Sequence, residues 1–229
     1  MCGRFTLSSP PSVLARLFLL DETPKLSPRF NIAPTQAVAV IRWSEETRSR
    51  RLAMHQWGLI PSWAKDPAVG AKMINARSET VAERPAFRSA FRRRRCLVPA
   101  DGFYEWVRAG NRKQPYHIRM RDGRPFAFAG IWERWKGAGD STLHTCALLT
   151  TVPNELLKPL HHRMPVILPE QVHAQWLDPA NQDGAALRNL LQPYPAAGMI
   201  AYPVDRRVNN PGIDGKENID PLDQTDPAP

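Results

Sequence analysis

Cysteine is scarce in this chain of 229 residues. Cys2, Cys96 and Cys146 offer no C-x-x-C spacing and leave one thiol over in any disulfide scheme. That excludes a disulfide scaffold and a cysteine-based zinc site, and a reducing, cytosolic setting is expected. The chain has no run of about 18 apolar residues. Its N-terminus also lacks the basic-then-apolar pattern of a secretory signal, so neither membrane spanning nor secretion is expected. Lysine is scarce too, at seven residues against 24 arginines. The net charge of +9 and pI near 9.9 therefore rest on guanidinium groups, whose planar fork suits phosphate. A genome that favours arginine explains this as well as a polyanionic partner does, and charge alone does not separate DNA from RNA.

What is present is core material: 42% hydrophobic residues, with seven Trp and eight Phe, enough for one domain. Twenty-three prolines scatter along the chain, so elements should be short, which argues against a helical bundle. Strands are expected at Val38–Trp43, Leu52–Trp57, Cys96–Pro99, Gly102–Val107, Tyr116–Met120, Phe126–Ile131 and His144–Thr151. Helices are expected at Pro11–Leu20, after Ser78, and at Asn154–Leu157, Glu170–Trp176 and Ala185–Leu191. The pattern reads as an α+β fold, a curved, largely antiparallel sheet with short peripheral helices. Residues 1–210 form the expected domain. From Pro211 the chain turns acidic and proline-punctuated, and residues 211–229 read as a mobile tail.

The chain opens Met-Cys-Gly-Arg-Phe. Removal of Met1, usual before a small residue, would leave Cys2 with an α-amine and a thiol on adjacent carbons. Such a 1,2-aminothiol condenses with an aldehyde to an imine, and the thiol then closes a five-membered thiazolidine. An α-amine has a pKa near 7.7–8.0 against about 10.4 for lysine, so far more of it is nucleophilic at neutral pH. A retained Met1 would bury that amine in a peptide bond. On its own, Cys2 also reads as an inconsequential terminal residue.

Three other places carry chemistry. In Asp101–Val107, strand alternation puts Glu105 between Phe103 and Val107 on one face, where apolar flanks should raise its pKa and suit proton transfer. Its bland alternative is an edge charge facing solvent. In Leu160–Pro165, His161 or His162 is a candidate acid or base and Arg163 a candidate phosphate ligand, though a lone histidine is more often structural. In Ile74–Thr80, Asn75 offers a donor and an acceptor, and Ser78 reads as a helix N-cap.

Taken in order, these segments resemble the abasic-site processing family, also called the SOS-response-associated peptidase family. The likeness is carried by Met-Cys-Gly-Arg-Phe at the start, Arg29–Pro34, Trp57–Trp63, Ile74–Thr80, Cys96–Trp106 and His161–Pro165. The resemblance implies an α+β fold on a β-barrel-like sheet with a positively charged groove. It implies Cys2 as nucleophile, Asn75 orienting its amine, Glu105 as general acid/base and His161 assisting sugar-ring opening. Arg4, Asn31, Arg77 and Arg163 would meet DNA near the lesion, and the Trp57 to Trp63 loop would act as a wedge or stacking surface. Arg84 and the run Arg92–Arg95 would extend the phosphate track. The implied partner is single-stranded DNA carrying an abasic site, also at strand junctions, captured covalently by a monomer without metal or cofactor. The place of action would be the cytoplasm, at the bacterial nucleoid after damage. His162 departs from the family, where many relatives carry an acidic residue, so His161 lacks that polarising neighbour.

Competing readings are a thiol peptidase pairing Cys2 with His161 and acting mainly on its own N-terminus, and an N-terminal-cysteine glutamine amidotransferase. A non-enzymatic single-strand binding module is a third.

Overall fold

The computed structural model describes residues 2–110, 112–137 and 141–222. Along the chain run β1 (Phe5–Leu7), α1 (Pro11–Phe18), β2 (Arg29–Ile32), β3 (Ala37–Ser44), β4 (Ser49–Trp57), β5 (Asn75–Arg77), α2 (Arg88–Arg93), β6 (Arg95–Ala100) and β7 (Gly102–Ala109). They continue with β8 (Arg112–Met120), β9 (Phe126–Lys136), β10 (Thr142–Thr151), β11 (Met164–Pro165), β12 (Ile167–Leu168), α3 (His173–Leu177), α4 (Gly184–Asn189) and β13 (Met199–Pro203). Proline starts α1, where no N–H is needed, and Leu14 and Phe18, four apart, bury its inner face.

Five strands close into a barrel. Antiparallel pairing joins β4 to β3, β3 to β6, β6 to β9 and β9 to β10. A parallel pairing of β10 with β4, Thr145 opposite Gln56 and Cys146 opposite Trp57, completes the ring. β5 extends β10 on the β4 side, and β11 and β12 add to β10 and β9. A second sheet, ordered β13-β8-β7-β1-β2, is wholly antiparallel. Its Phe5 meets Trp57 and Phe128 edge-on at 5.3 and 5.8 Å, and its Phe103 meets Phe128 at 6.0 Å. These aromatic contacts join the two sheets through the core. The expected curved, largely antiparallel, barrel-like sheet is what the chain forms.

All seven expected strands are present. The helix expected after Ser78 is replaced by turns up to α2, and Asn154–Leu157 is a turn. Ser78 caps no helix; its N–H donates to Thr150 O at 2.8 Å and prolongs the β5–β10 pairing. Gly58, at φ 135°, lies against Gly70, and a Cβ on Gly58 would stand 2.6 Å from the Gly70 oxygen. That glycine contact closes the loop that carries Trp63.

The expectation of a mobile tail from Pro211 is overturned for residues 211–222. Asp214 accepts from the backbone N–H groups of Phe30 and Asn31 at 2.5 and 2.6 Å and pairs with Arg29. Asn218 is fully buried, Val204 bridges Pro221, and the Leu222 N–H donates to Pro203 O at 3.0 Å. The anchoring is polar, a carboxylate on the edge N–H groups of β2, so the scarcity of apolar residues was no guide to it. The rest of the expected tail lies outside the described residues. Asp214→Ala leaves two edge N–H groups without their acceptor and should cost about 1–3 kcal/mol, read as a lower urea midpoint. An unchanged midpoint would mean the segment lies on β2 without supporting it.

Candidate active site

Cys2 is fully buried just ahead of β1, with its neighbours held by pairing rather than by bulk. Phe5 faces Phe103 across the β1–β7 ladder, and the Tyr104 N–H donates to Arg4 O at 3.0 Å, which lays Cys2–Arg4 beside Tyr104–Trp106. From the other side Asn75 Nδ2 donates to the Cys2 carbonyl at 2.8 Å. Asn75 is presented there because β5 pairs with β10, Asn75 opposite Leu148. Its Oδ1 is buried with no hydrogen-bond partner among the described residues, an acceptor aimed into the site.

Burial pushes the Cys2 thiol well above its usual range, and the neighbouring Glu105 carboxylate pushes the same way. Among the described residues its Sγ makes a long contact of 3.8 Å with Arg4 O. Burial also lifts Glu105, 3% exposed, to about 7. At neutral pH the site thus presents a neutral thiol beside a carboxyl poised to give or take a proton.

His161 sits at the entrance to β11 on the opposite edge of β10 from β5. Its Nδ1 lies 3.0 Å from the Arg163 backbone nitrogen and 3.2 Å from the Arg163 carbonyl oxygen, so that backbone holds the ring in place. His162 stacks on it at 4.2 Å. Burial lowers the His161 pKa, and the neighbouring Arg163 charge adds to that. The imidazole is therefore the neutral form at pH 7.

The expected DNA contacts divide. Trp57 is wholly buried, its indole N–H donating to Ile74 O at 2.9 Å, which corrects its reading as a stacking surface. Asn31 is wholly buried and donates to Val208, Asn210 and Ile213 carbonyls. Arg4 donates to Asn31 Oδ1 and Val208 O, both at 2.7 Å, and to Asn209 O at 3.2 Å. Arg163 is forked onto Glu79 at 2.6 and 2.9 Å and donates to Thr150 O at 2.6 Å. These four side chains are committed within the protein. Trp63, 66% exposed, stands on the surface, as do Arg77 and Arg84. Of the Arg92–Arg95 run, Arg92 and Arg93 are exposed, Arg94 pairs with Glu133 at 2.6 Å, and Arg95 is buried on five carbonyls. Glu79, which holds Arg163, was missed, although it lies in the Ile74–Thr80 motif. Among the described residues no group of three His, Cys, Asp or Glu side chains could hold a metal.

A closed barrel packed on a second sheet, with Cys2 buried near the start of the chain beside Asn75 and the raised-pKa carboxyl of Glu105, marks out the class of fold and site. The family model "SOS response associated peptidase (SRAP)" matches residues 1–211, and the chain belongs to that family. It is 43% identical over 224 residues to the abasic site processing protein YoqW of Bacillus subtilis, covering 96% of this chain and 99% of that one. It is 29% identical over 229 residues to the abasic site processing protein YedK of Escherichia coli, covering 97% and 100%. A solved structure of a Bacteroides thetaiotaomicron protein, 27% identical, superposes with a TM-score of 0.84 over 96% of this chain and 100% of that one.

Glu105 also makes stability depend on pH. Its folded-state pKa lies above the unfolded value, so its contribution is complete below about pH 4.5 and is lost as pH rises toward 7. Between pH 5 and 7.5 the wild type should lose on the order of 2–3 kcal/mol relative to Glu105→Gln, measured by urea unfolding at each pH. Parallel profiles would mean that the carboxyl titrates normally.

Proposed function

We propose that this chain processes abasic sites in DNA by covalent capture at Cys2 once Met1 has been removed. The observation that carries the reading is the placement of Cys2 between Asn75 and Glu105 in a chain whose relatives bear the name abasic site processing protein. The opened sugar presents an aldehyde. The Cys2 amine adds to its carbon, and loss of water gives an imine. The thiol sulfur then bonds to that same carbon while its proton passes to the nitrogen, leaving a closed thiazolidine with no iminium to promote strand cleavage. The orphaned Asn75 Oδ1 suits the amine as an acceptor. Glu105 suits the proton transfers and a neutral His161 the opening of the sugar ring.

Trp63 on its glycine-closed loop suits stacking against an unpaired base, and Arg77 and Arg84 suit the flanking phosphates. We take the substrate to be single-stranded DNA, free or at a junction, the working form to be a monomer, and the place of action to be the damaged nucleoid. A general thiol peptidase is disfavoured, because a thiol pushed upward by burial and by a carboxylate is the reverse of the low-pKa thiolate such an enzyme uses. An amidotransferase thiol would face the same obstacle.

Incubating the protein with an abasic oligonucleotide and running a denaturing gel tests the reading. Wild type should give a stable adduct and Cys2→Ala none; an equally stable adduct from Cys2→Ala would sink it. Glu105→Gln should slow adduct formation by about 10²-fold or more with oligonucleotide affinity near wild type. A parallel loss of affinity would make Glu105 a positional residue instead.

A further inference from the structure

At the barrel mouth remote from Cys2, four strands point side chains at one another. Arg42 of β3 lies over the Trp132 ring of β9 at 4.6 Å. His55 of β4 stands 5.7 Å from Trp132 and 5.4 Å from His144 of β10, and His144 is 5.9 Å from Trp132. β3 and β9 are separated by β6, so the Arg42–Trp132 contact spans the concave side of the ring. His144 precedes Leu148, the partner of Asn75, by four residues, about 13 Å along β10.

The cluster is rich in donors and poor in acceptors. The Arg42 Nε is buried with no partner among the described residues, as are both ring nitrogens of His55. The Ala53 and Met54 carbonyls lie near the His55 ring without forming a bond of good geometry. Arg134, two residues beyond Trp132, is exposed, and its charge acts on His144. Among the described residues no carboxylate pairs with these cations: Glu133 is taken by Arg94 at 2.6 Å and Glu22 by Arg51 at 3.8 Å. Glu45 and Glu46, in the β3–β4 turn, are exposed and pair with neither Arg42 nor Arg134. Burial, with the neighbouring His144 and Arg42, holds His55 down at about 4, and burial, with Arg42 and Arg134, lowers His144. Gathered like charges and unpaired donors, with no counter-charge among the described residues, are a local conflict of the kind found at ligand sites, and barrel mouths are common places for them.

We propose that this mouth binds a phosphate group, either free or in a nucleic-acid backbone, between Arg42, Arg134 and His144, with Trp132 as an aromatic wall. A phosphate accepts from both guanidinium groups and, on a protonated His144, from the imidazolium as well. The site is separate from Cys2 and does not depend on the chemistry proposed there.

The test follows the His144 ring resonance by NMR in the full chain. Inorganic phosphate and an undamaged single-stranded oligonucleotide are titrated separately, against chloride at matched ionic strength. A saturable downfield shift with phosphate identifies a free anion, and one with the oligonucleotide identifies the backbone; either supports the site. Arg134→Gln, on the surface and unable to disturb the core, should weaken the responding probe about three- to tenfold, and Arg42→Lys similarly. If the oligonucleotide responds, Arg134→Gln should also reduce its salt slope by about one. Cys2→Ala should leave the shift intact, which keeps this outcome separate from that of the crosslinking assay. No shift with either probe beyond chloride, or an unweakened shift in Arg134→Gln and Arg42→Lys, overturns the proposal.

Discussion

β10 is the member on which the rest of the molecule depends, because its parallel pairing with β4 closes the barrel. A parallel closure needs the intervening chain to cross over, and everything between β4 and β10, including β5 and the second sheet's β7 and β8, is hung on that crossover. The same strand then accepts β5 on one edge and β11 on the other. Asn75 and the His161–Arg163 segment thereby reach one end of the barrel from opposite sides. The donor cluster of Arg42, His55 and His144 occupies the other end.

Burial is the largest influence on the ionisable groups around Cys2. Burial raises the thiol and the carboxyl together, leaving the thiol protonated and the carboxyl near its midpoint at neutral pH. A thiol that stays protonated is slow toward oxidants and alkylating agents, while a terminal amine retains its nucleophilicity. In the capture proposed above, nitrogen would therefore react first and sulfur second.

Much of the architecture was legible in the sequence. The runs Val38–Trp43 and His144–Thr151 combine β-branched and aromatic residues with clear boundaries, and they became strands as read. Glu105 was legible because alternation along Gly102–Val107 set it among apolar neighbours. What escaped the reading depended on distant partners. Arg163 looks like a phosphate ligand until Glu79, 84 residues away, is seen in its fork. Trp57 and Trp63 share one motif, yet one fills the core and the other faces solvent, a difference decided by the Gly58–Gly70 contact and not by residue type. The segment after Pro211 lacks apolar anchors and is held by Asp214 on backbone N–H groups, a bond that composition does not report.

Arginine dominates lysine in this chain, and the fold gives part of that bias a structural meaning. Arg95, 4% exposed, donates to the carbonyls of Phe91, Arg92, Trp176, Asp178 and Asn181, tying α2 to the chain around α3. Arg4 and Arg163 are likewise spread over several acceptors. A lysine ammonium is a point donor and cannot span such acceptors in one plane. Codon drift toward lysine would thus be arrested at these three positions, so a lineage with little genomic preference for arginine should still keep them.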